Sequence, residues 1–225
     1  MKNTIAIIGC GRMGSFLAGK LSDPYQVYVY DQNPRYAENL AETCGVKAVA
    51  KEELNMAEVV ILALATDILP NALLELEKLL KNDAVIVNIA TTLGHDQLQT
   101  GLNKVSAKII GHYKEMSAGE KPVIIIEGTD QAGVNLVADV FSHIGTVVKG
   151  QSDMVTKINT ISSQFGIVAA LEIKKVLGEM QLSEEIIIAA IRNVAAGTMK
   201  AFAVGDVGPF AQKIAEEFEK ENNTK

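Results

Sequence analysis

The stretch Ile5-Ala6-Ile7-Ile8-Gly9-Cys10-Gly11-Arg12-Met13-Gly14 decides the fold. Four apolar residues without polar alternation suit a parallel strand covered on both faces, and the glycines after them fit the pattern Gly-x-Gly-x-x-Gly. Each glycine has a steric task. Gly9 permits a tight turn, Gly11 lets backbone approach a pyrophosphate, and Gly14 lets a helix over roughly 12–21 pack closely on the strand. The first turn of that helix, which carries Arg12 and Met13, presents unpaired N–H groups and a partial positive charge to an anion. The stretch therefore reads as a dinucleotide site formed by Gly9, Gly11, Arg12, Met13 and Gly14, with Arg12 a supplement to the backbone.

The surroundings support that reading. A second apolar strand, Val27-Tyr28-Val29-Tyr30, ends in Asp31, 20 residues after Gly11. An acid at that distance accepts hydrogen bonds from the adenosine ribose hydroxyls and repels a 2′-phosphate, which favours NAD over NADP. Two alternatives stay open: Asp31 opens the Asp31-Gln32-Asn33-Pro34 turn, and Arg35 swings toward a 2′-phosphate, which keeps NADP possible.

In a chain of 225 residues, 48% hydrophobic and 21% charged residues describe a globular protein, and a net charge of −6 with no basic cluster argues against nucleic acid as a partner. The first strand begins within four residues of Met1, leaving no room for a signal peptide, and no apolar run approaches the ~18 residues of a membrane span. A cytoplasmic protein with no membrane partner is expected. Cys10 and Cys44 form no Cys-x-x-Cys, so neither a disulfide framework nor a metal site is expected.

Along the chain, a helix over 34–43 closed by Cys44-Gly45 leads to strands at 46–49, 58–64 and 84–88, with a leucine-rich helix over 70–80 between the last two. Two loops follow carboxyl ends of strands, where open α/β sheets bind ligands. Ala65 and Thr66 in one, Thr91 and Thr92 in the other, are expected to border a nicotinamide, the hydroxyls orienting a carbonyl or imine. Strands at 108–110, 123–126 and 145–148 and a helix over 130–141 complete the first half near Gly150. From Asp153 the pattern is helical to the end. Met154, Ile158, Ile161, Phe165 and Val168 give the first of these helices more apolar surface than two short partners cover, so a homodimer is expected. The fold class is α/β: a Rossmann-like, doubly wound, mostly parallel sheet (1–150) followed by a small all-α C-terminal domain (151–225) for substrate and dimerisation.

Two titratable residues stand out as catalytic candidates. His112 lies on a polar loop after a strand and exchanges a proton near neutral pH; the alternative is an exposed loop histidine. Lys157, in the first turn of the long helix, is placed against the helix dipole, as expected for a substrate carboxylate partner or a solvated side chain. His95 and His143 read as helical or peripheral. Ser162, Ser163 and Gln164 face either substrate or the preceding helical turn.

The arrangement resembles the dehydrogenases that join a Rossmann domain to a helical domain like that of 6-phosphogluconate dehydrogenase. Along the whole chain it looks most like pyrroline-5-carboxylate reductase. Gln181-Leu182-Ser183 stands at that family's Gly-Leu-Pro-type turn and Gly197-Thr198-Met199-Lys200 at its Gly-x-x-Lys-Met-like segment, while Ile161-Ser162-Ser163-Gln164-Phe165-Gly166 replaces its Ser-Gly-Ser-Gly-Pro-Ala run. Gly111-His112 with Ser117-Ala118-Gly119-Glu120 is similar to the Gly-Gly-His-Pro-x-x-Gly loop of prephenate dehydrogenases, and Thr156-Lys157-Ile158-Asn159 to the lysine-bearing helix of β-hydroxyacid dehydrogenases. The resemblance implies an NAD(P)-dependent oxidoreductase moving a hydride between the nicotinamide and a small carboxylate-bearing imine or carbonyl substrate. A prephenate dehydrogenase-like enzyme and a catalytically silent dinucleotide-binding or regulatory protein are the alternatives.

Overall fold

Eight strands form one sheet in the computed structural model, which describes residues 3–222. They are β1 (Thr4–Ile8), β2 (Gln26–Tyr30), β3 (Lys47–Ala48), β4 (Val59–Leu62), β5 (Val85–Asn88), β6 (Asn103–Ile110), β7 (Val123–Gly128) and β8 (Thr146–Lys149), in the spatial order 3-2-1-4-5-6-7-8. Every neighbouring pair is parallel except β6 and β7. The sheet is doubly wound and mostly parallel, as the sequence indicates.

The helices of this part are α1 (Arg12–Leu21), α2 (Pro34–Cys44), α3 (Leu69–Leu76), α4 (Tyr113–Ser117) and α5 (Gln131–Ser142). Alternate strand residues feed two cores, because successive side chains point to opposite faces. Ile5, Ile7, Val29, Ile61, Val87 and Ala107 pack with Leu17 and Leu21 of α1 and Val137 and Phe141 of α5. Ala6, Ile8, Val60, Leu62 and Ile86 pack with Leu69, Leu73 and Leu76 of α3. Local chemistry sets the helix ends: Asn33 caps α2 through a hydrogen bond from Arg35 N to its side chain, with Pro34 at the first helical position, and Gly45 ends it at φ +66°.

The strand expected at 108–110 begins five residues earlier, at Asn103. Ser106 and Lys108 break the apolar signal there, yet both are buried on one face of the sheet. The sheet is also staggered. Ile8, Tyr30, Leu62 and Asn88 stand level at the carboxyl edge, and Asn88 pairs with Ser106. The rest of β6 runs past that edge, and the start of β7 and all of β8 pair at this outer level. These three strands therefore form a wall beside the carboxyl ends of β4 and β5.

The helix α6 (Met154–Glu179) follows β8, and the chain divides into two compact units between Thr160 and Ile161, inside this helix. The last strand ends at Lys149. The first turns of α6 belong with the sheet because Val155 is fully buried and Thr156 and Asn159 bond to backbone carbonyls of the first unit.

The second unit contains the remainder of α6, then α7 (Glu184–Ala189), one π-helical turn (Ala190–Ala195), α8 (Ala196–Ala203) and α9 (Pro209–Asn222). Among its described residues only Ile187 is buried, while Phe165, Val204 and Phe210 are 71%, 78% and 80% exposed. The continuous helix Glu184–Ala203 has a mean hydropathy of 1.4 over an 18-residue window and is long and apolar enough, by length and composition, to cross a membrane. This corrects the expectation that no segment approaches that length. Arg192, Asn193, Gly197, Thr198 and Lys200 interrupt the run, so it is hidden when only unbroken apolar stretches are sought.

The glycine turn yields a paired prediction. A Cβ on Gly14 would collide with the carbonyl oxygen of Gly9, whereas a Cβ on Gly11 would meet nothing within 4 Å. In chemical denaturation, Gly14→Ala should lower stability by about 1–3 kcal/mol or more, as an overpacked contact between backbones does. Gly11→Ala should stay within about 1 kcal/mol of the parent.

Candidate functional site

The glycine turn is built by backbone contacts and one carboxylate. Gly9 N donates to Tyr30 O at 2.8 Å, and Gly9 sits at φ +99°, where a Cβ would stand 2.6 Å from Ala63 O. Asp31 joins the turn to the end of β2: its Oδ2 accepts from Cys10 N at 2.8 Å and its Oδ1 from Asn33 N at 2.9 Å. One carboxylate thus opens the Asn33-Pro34 turn and also bonds the glycine loop. Burial, with the Asp31 charge second, pushes the Cys10 thiol up to about 12, so it stays protonated and inert. A cavity of about 460 Å³ opens here, lined by Gly9, Tyr30, Asp31, Gln32, Lys51 and Asn71 among others. Lys51 on its wall is paired with Glu75 at 2.7 Å. Arg12 and Arg35 are exposed and Met13 is half-buried.

The loops after β4 and β5 meet through Thr66 Oγ1 and Thr92 Oγ1, 2.8 Å apart. Ala65 is exposed, and its carbonyl starts α3 by accepting from Leu69 N at 3.1 Å. The loop after β5 is held from below and from the side. Asn88 bridges it, its Oδ1 accepting from Ala90 N and its Nδ2 donating to Leu93 O, both at 3.0 Å. Thr156 Oγ1 on α6 donates to Thr91 O at 2.5 Å, and Asn159 Nδ2 donates to Ile109 O at the end of β6 at 3.0 Å. Lys157 lies between these two latches, exposed. His112, two residues beyond β6, is the exposed N-cap of α4. The start of α6 is thus fixed against the chain after β5 and the end of β6, while the His112 imidazole stands in solvent.

Sequence reasoning missed a polar row on one sheet face, buried at Asn88 and Ser106 and half-buried at Glu127. Asn88, Ser106 and Glu127 stand side by side on β5, β6 and β7. His95 Nδ1 shares a 3.1 Å hydrogen bond with Ser106 Oγ, and its Nε2 is buried with no partner. That corrects the helical or peripheral reading of His95, which is 6% exposed. Glu127 accepts from both N and Oγ of Ser152, at 2.8 and 2.7 Å, just ahead of α6. Burial alone would raise the Glu127 pKa, but the Ser152 hydrogen bonds, with His95 and Lys108 nearby, outweigh it and hold the pKa below its ordinary value. Lys108, next along the same face, is 1% exposed; its Nζ donates to Leu93 O at 2.7 Å and also to Ala90 O. Burial lowers its pKa to about 8 against the pull of Asp153 and Glu127. The available signal was Ser106-x-Lys108, two polar residues at strand spacing inside an apolar segment.

The glycine turn fits a dinucleotide. The space above Gly11 is open, Gly9 and Gly14 are forced by backbone proximity, and the N–H groups of the first turn of α1 lack a side-chain cap. Residues 4–92 match the family model described as "NADP oxidoreductase coenzyme F420-dependent". This segment is an NAD(P)-binding domain. By sequence, the chain is 29% identical over 123 residues to the pyrroline-5-carboxylate reductase of Escherichia coli K12, a match covering 52% of this chain and 43% of that protein. The match thus spans less than half the length of that curated relative. By structure, a pyrroline-5-carboxylate reductase from Coxiella burnetii superposes with a TM-score of 0.73 at 16% identity, covering 100% of this chain and 93% of the other. The Plasmodium falciparum pyrroline carboxylate reductase, solved with NADP bound, gives 0.67 at 14% identity, covering 99% and 91%. These two likenesses establish the shared Rossmann-plus-helical fold.

Lys108 generates a pH prediction. Below pH 8 it is charged in both folded and unfolded chains; between about 8 and its ordinary 10.5 only the unfolded chain keeps the proton. The folded state therefore gains on the unfolded one as pH rises through that window, by up to about 1.4 kcal/mol per pH unit. Denaturation from pH 7.5 to 10.5 should show wild type gaining stability relative to Lys108→Met, a difference that cancels the opposing titrations common to both proteins.

Proposed function

We propose that this chain is an NAD(P)-dependent oxidoreductase that moves a hydride between the nicotinamide and a small carboxylate-bearing imine or carbonyl compound, in the manner of the pyrroline-5-carboxylate reductases it resembles. The observation that carries the proposal is the open space above Gly11, bounded by Asp31 at the end of β2, with the linked Thr66 and Thr92 loops at the carboxyl ends of β4 and β5. When bound, the cofactor supplies the hydride. The N–H groups at the start of α1, beside Gly9, Gly11, Arg12, Met13 and Gly14, hold the pyrophosphate. Asp31 has acceptor capacity left beyond its two backbone bonds and takes the ribose hydroxyls, which favours NAD. Ala65, Thr66, Thr91 and Thr92 border the nicotinamide, the threonine hydroxyls orienting the substrate's C=N or C=O. His112 is the proton donor and Lys157 the partner of the substrate carboxylate. Both are exposed in this state, so a bound substrate must draw them in.

The second unit completes itself in a homodimer. Of its described residues only Ile187 is buried, and exposed Ile161, Phe165, Val168 and Leu171 continue along α6. An apolar surface of that extent is rare on a soluble monomer.

The test is a titration followed by a turnover screen. Wild type should bind NADH, and NADPH more weakly, while Gly11→Ala folds but binds both at least ~10-fold more weakly because its methyl occupies the phosphate approach. Against a panel of cyclic imines and 2-oxo acids with carboxylates, a substrate should emerge for which His112→Asn lowers turnover ~10²–10⁴-fold and Lys157→Met chiefly raises KM. Binding without turnover across the panel would favour a silent dinucleotide-binding protein.

Sedimentation supplies a separate check. The chain mass is 24.1 kDa, and the protein should sediment at about twice that value. A stable monomer at micromolar concentration would refute the dimer.

A further inference from the structure

Lys108 has no part in the function proposed above, although a side chain that is 1% exposed and carries an amine is an expensive thing to bury. What it touches explains its presence. Its Nζ donates to Ala90 O and to Leu93 O, the two carbonyls flanking Thr91-Thr92. Of the two carbonyls between them, Thr91 O takes the hydroxyl of Thr156, and Asn88 bonds Ala90 N and Leu93 O from the end of β5. Side chains thus hold the carbonyls of residues 90, 91 and 93. Thr92 is left to present its hydroxyl to Thr66. The acids Asp153 and Glu127 act on Lys108 through their charges.

A loop whose carbonyls are tied this way has one conformation rather than several, and the central tie is an amine bridging both ends of the Thr91-Thr92 pair. We infer that Lys108 is a positioning residue: by bridging Ala90 O and Leu93 O it holds Thr91 and Thr92 in the shape that receives the nicotinamide end of the dinucleotide. The inference rests on the cofactor reading above, but it concerns one half of the cofactor only. The glycine turn and Asp31, which take the other half, share no hydrogen bond with this lysine.

That division supplies the experiment. Wild type, Lys108→Met and Thr156→Val are titrated calorimetrically with NADH, NADPH and ADP-ribose, which carries the adenosine diphosphate end without nicotinamide. Lys108→Met, close in length but unable to donate, should bind ADP-ribose within about twofold of wild type and bind NADH or NADPH about tenfold or more weakly, the size expected when buried hydrogen bonds of a charged group are lost. Thr156→Val leaves the sheet untouched and removes only the hydroxyl on Thr91 O. It should show the same selectivity with a smaller loss, and it decides the matter if Lys108→Met does not fold. A purely structural lysine would weaken all three ligands together. Equal loss for ADP-ribose and the dinucleotides, or no loss for any of them, overturns the inference. Wild type that binds none of the three overturns the cofactor reading and this inference with it.

Discussion

There is no room for a carbon atom between Gly14 and the carbonyl of Gly9, and much of the first unit follows from that contact. It lets α1 lie directly on the end of β1, which sends the chain back to form β2 beside β1 and leaves the first N–H groups of α1 facing outward. Parallel pairing repeats through β4 and β5, so the carboxyl ends of four strands reach one level. Loops leaving those ends share a crevice because the sheet gives them nowhere else to go.

The sequence made the strands and helices of this crevice legible because each is announced locally: apolar runs without alternation, a Pro at a helix start, a Gly at a helix end. The glycine turn was readable for the same reason, since the spacing of Gly9 and Gly14 matches the close backbone contacts made there. The polar row of Asn88, Ser106 and Glu127 was not readable. Its members come from three separate strands, and only the pairing register makes them neighbours. His95 was misplaced on the same account, since nothing nearby in sequence reveals that Ser106 waits for its ring.

A second class of feature escapes sequence reading because it depends on where a long side chain ends rather than where it begins. Lys108 enters the sequence reading only as the first residue of a strand, yet its amine lies against a loop 15 residues earlier in the chain. The second unit differs, since the apolar face read along its first helix is exposed at Ile161, Phe165 and Val168. Apolar periodicity identifies a face that prefers cover without saying which molecule provides it.

The stagger of the sheet has a further thermodynamic consequence. Because the ends of β6, the start of β7 and β8 project beyond the carboxyl edge of β5, the flank of the crevice is made of paired strands rather than loop. A ligand entering a crevice lined by loops must immobilise them, and the lost chain entropy is subtracted from its affinity. Here the ladder bonds of three strands have already met that cost during folding. The short segment after β5 is restrained further by side-chain latches. A ligand that touches this flank meets backbone already ordered, so this side of the crevice subtracts little chain entropy from its affinity.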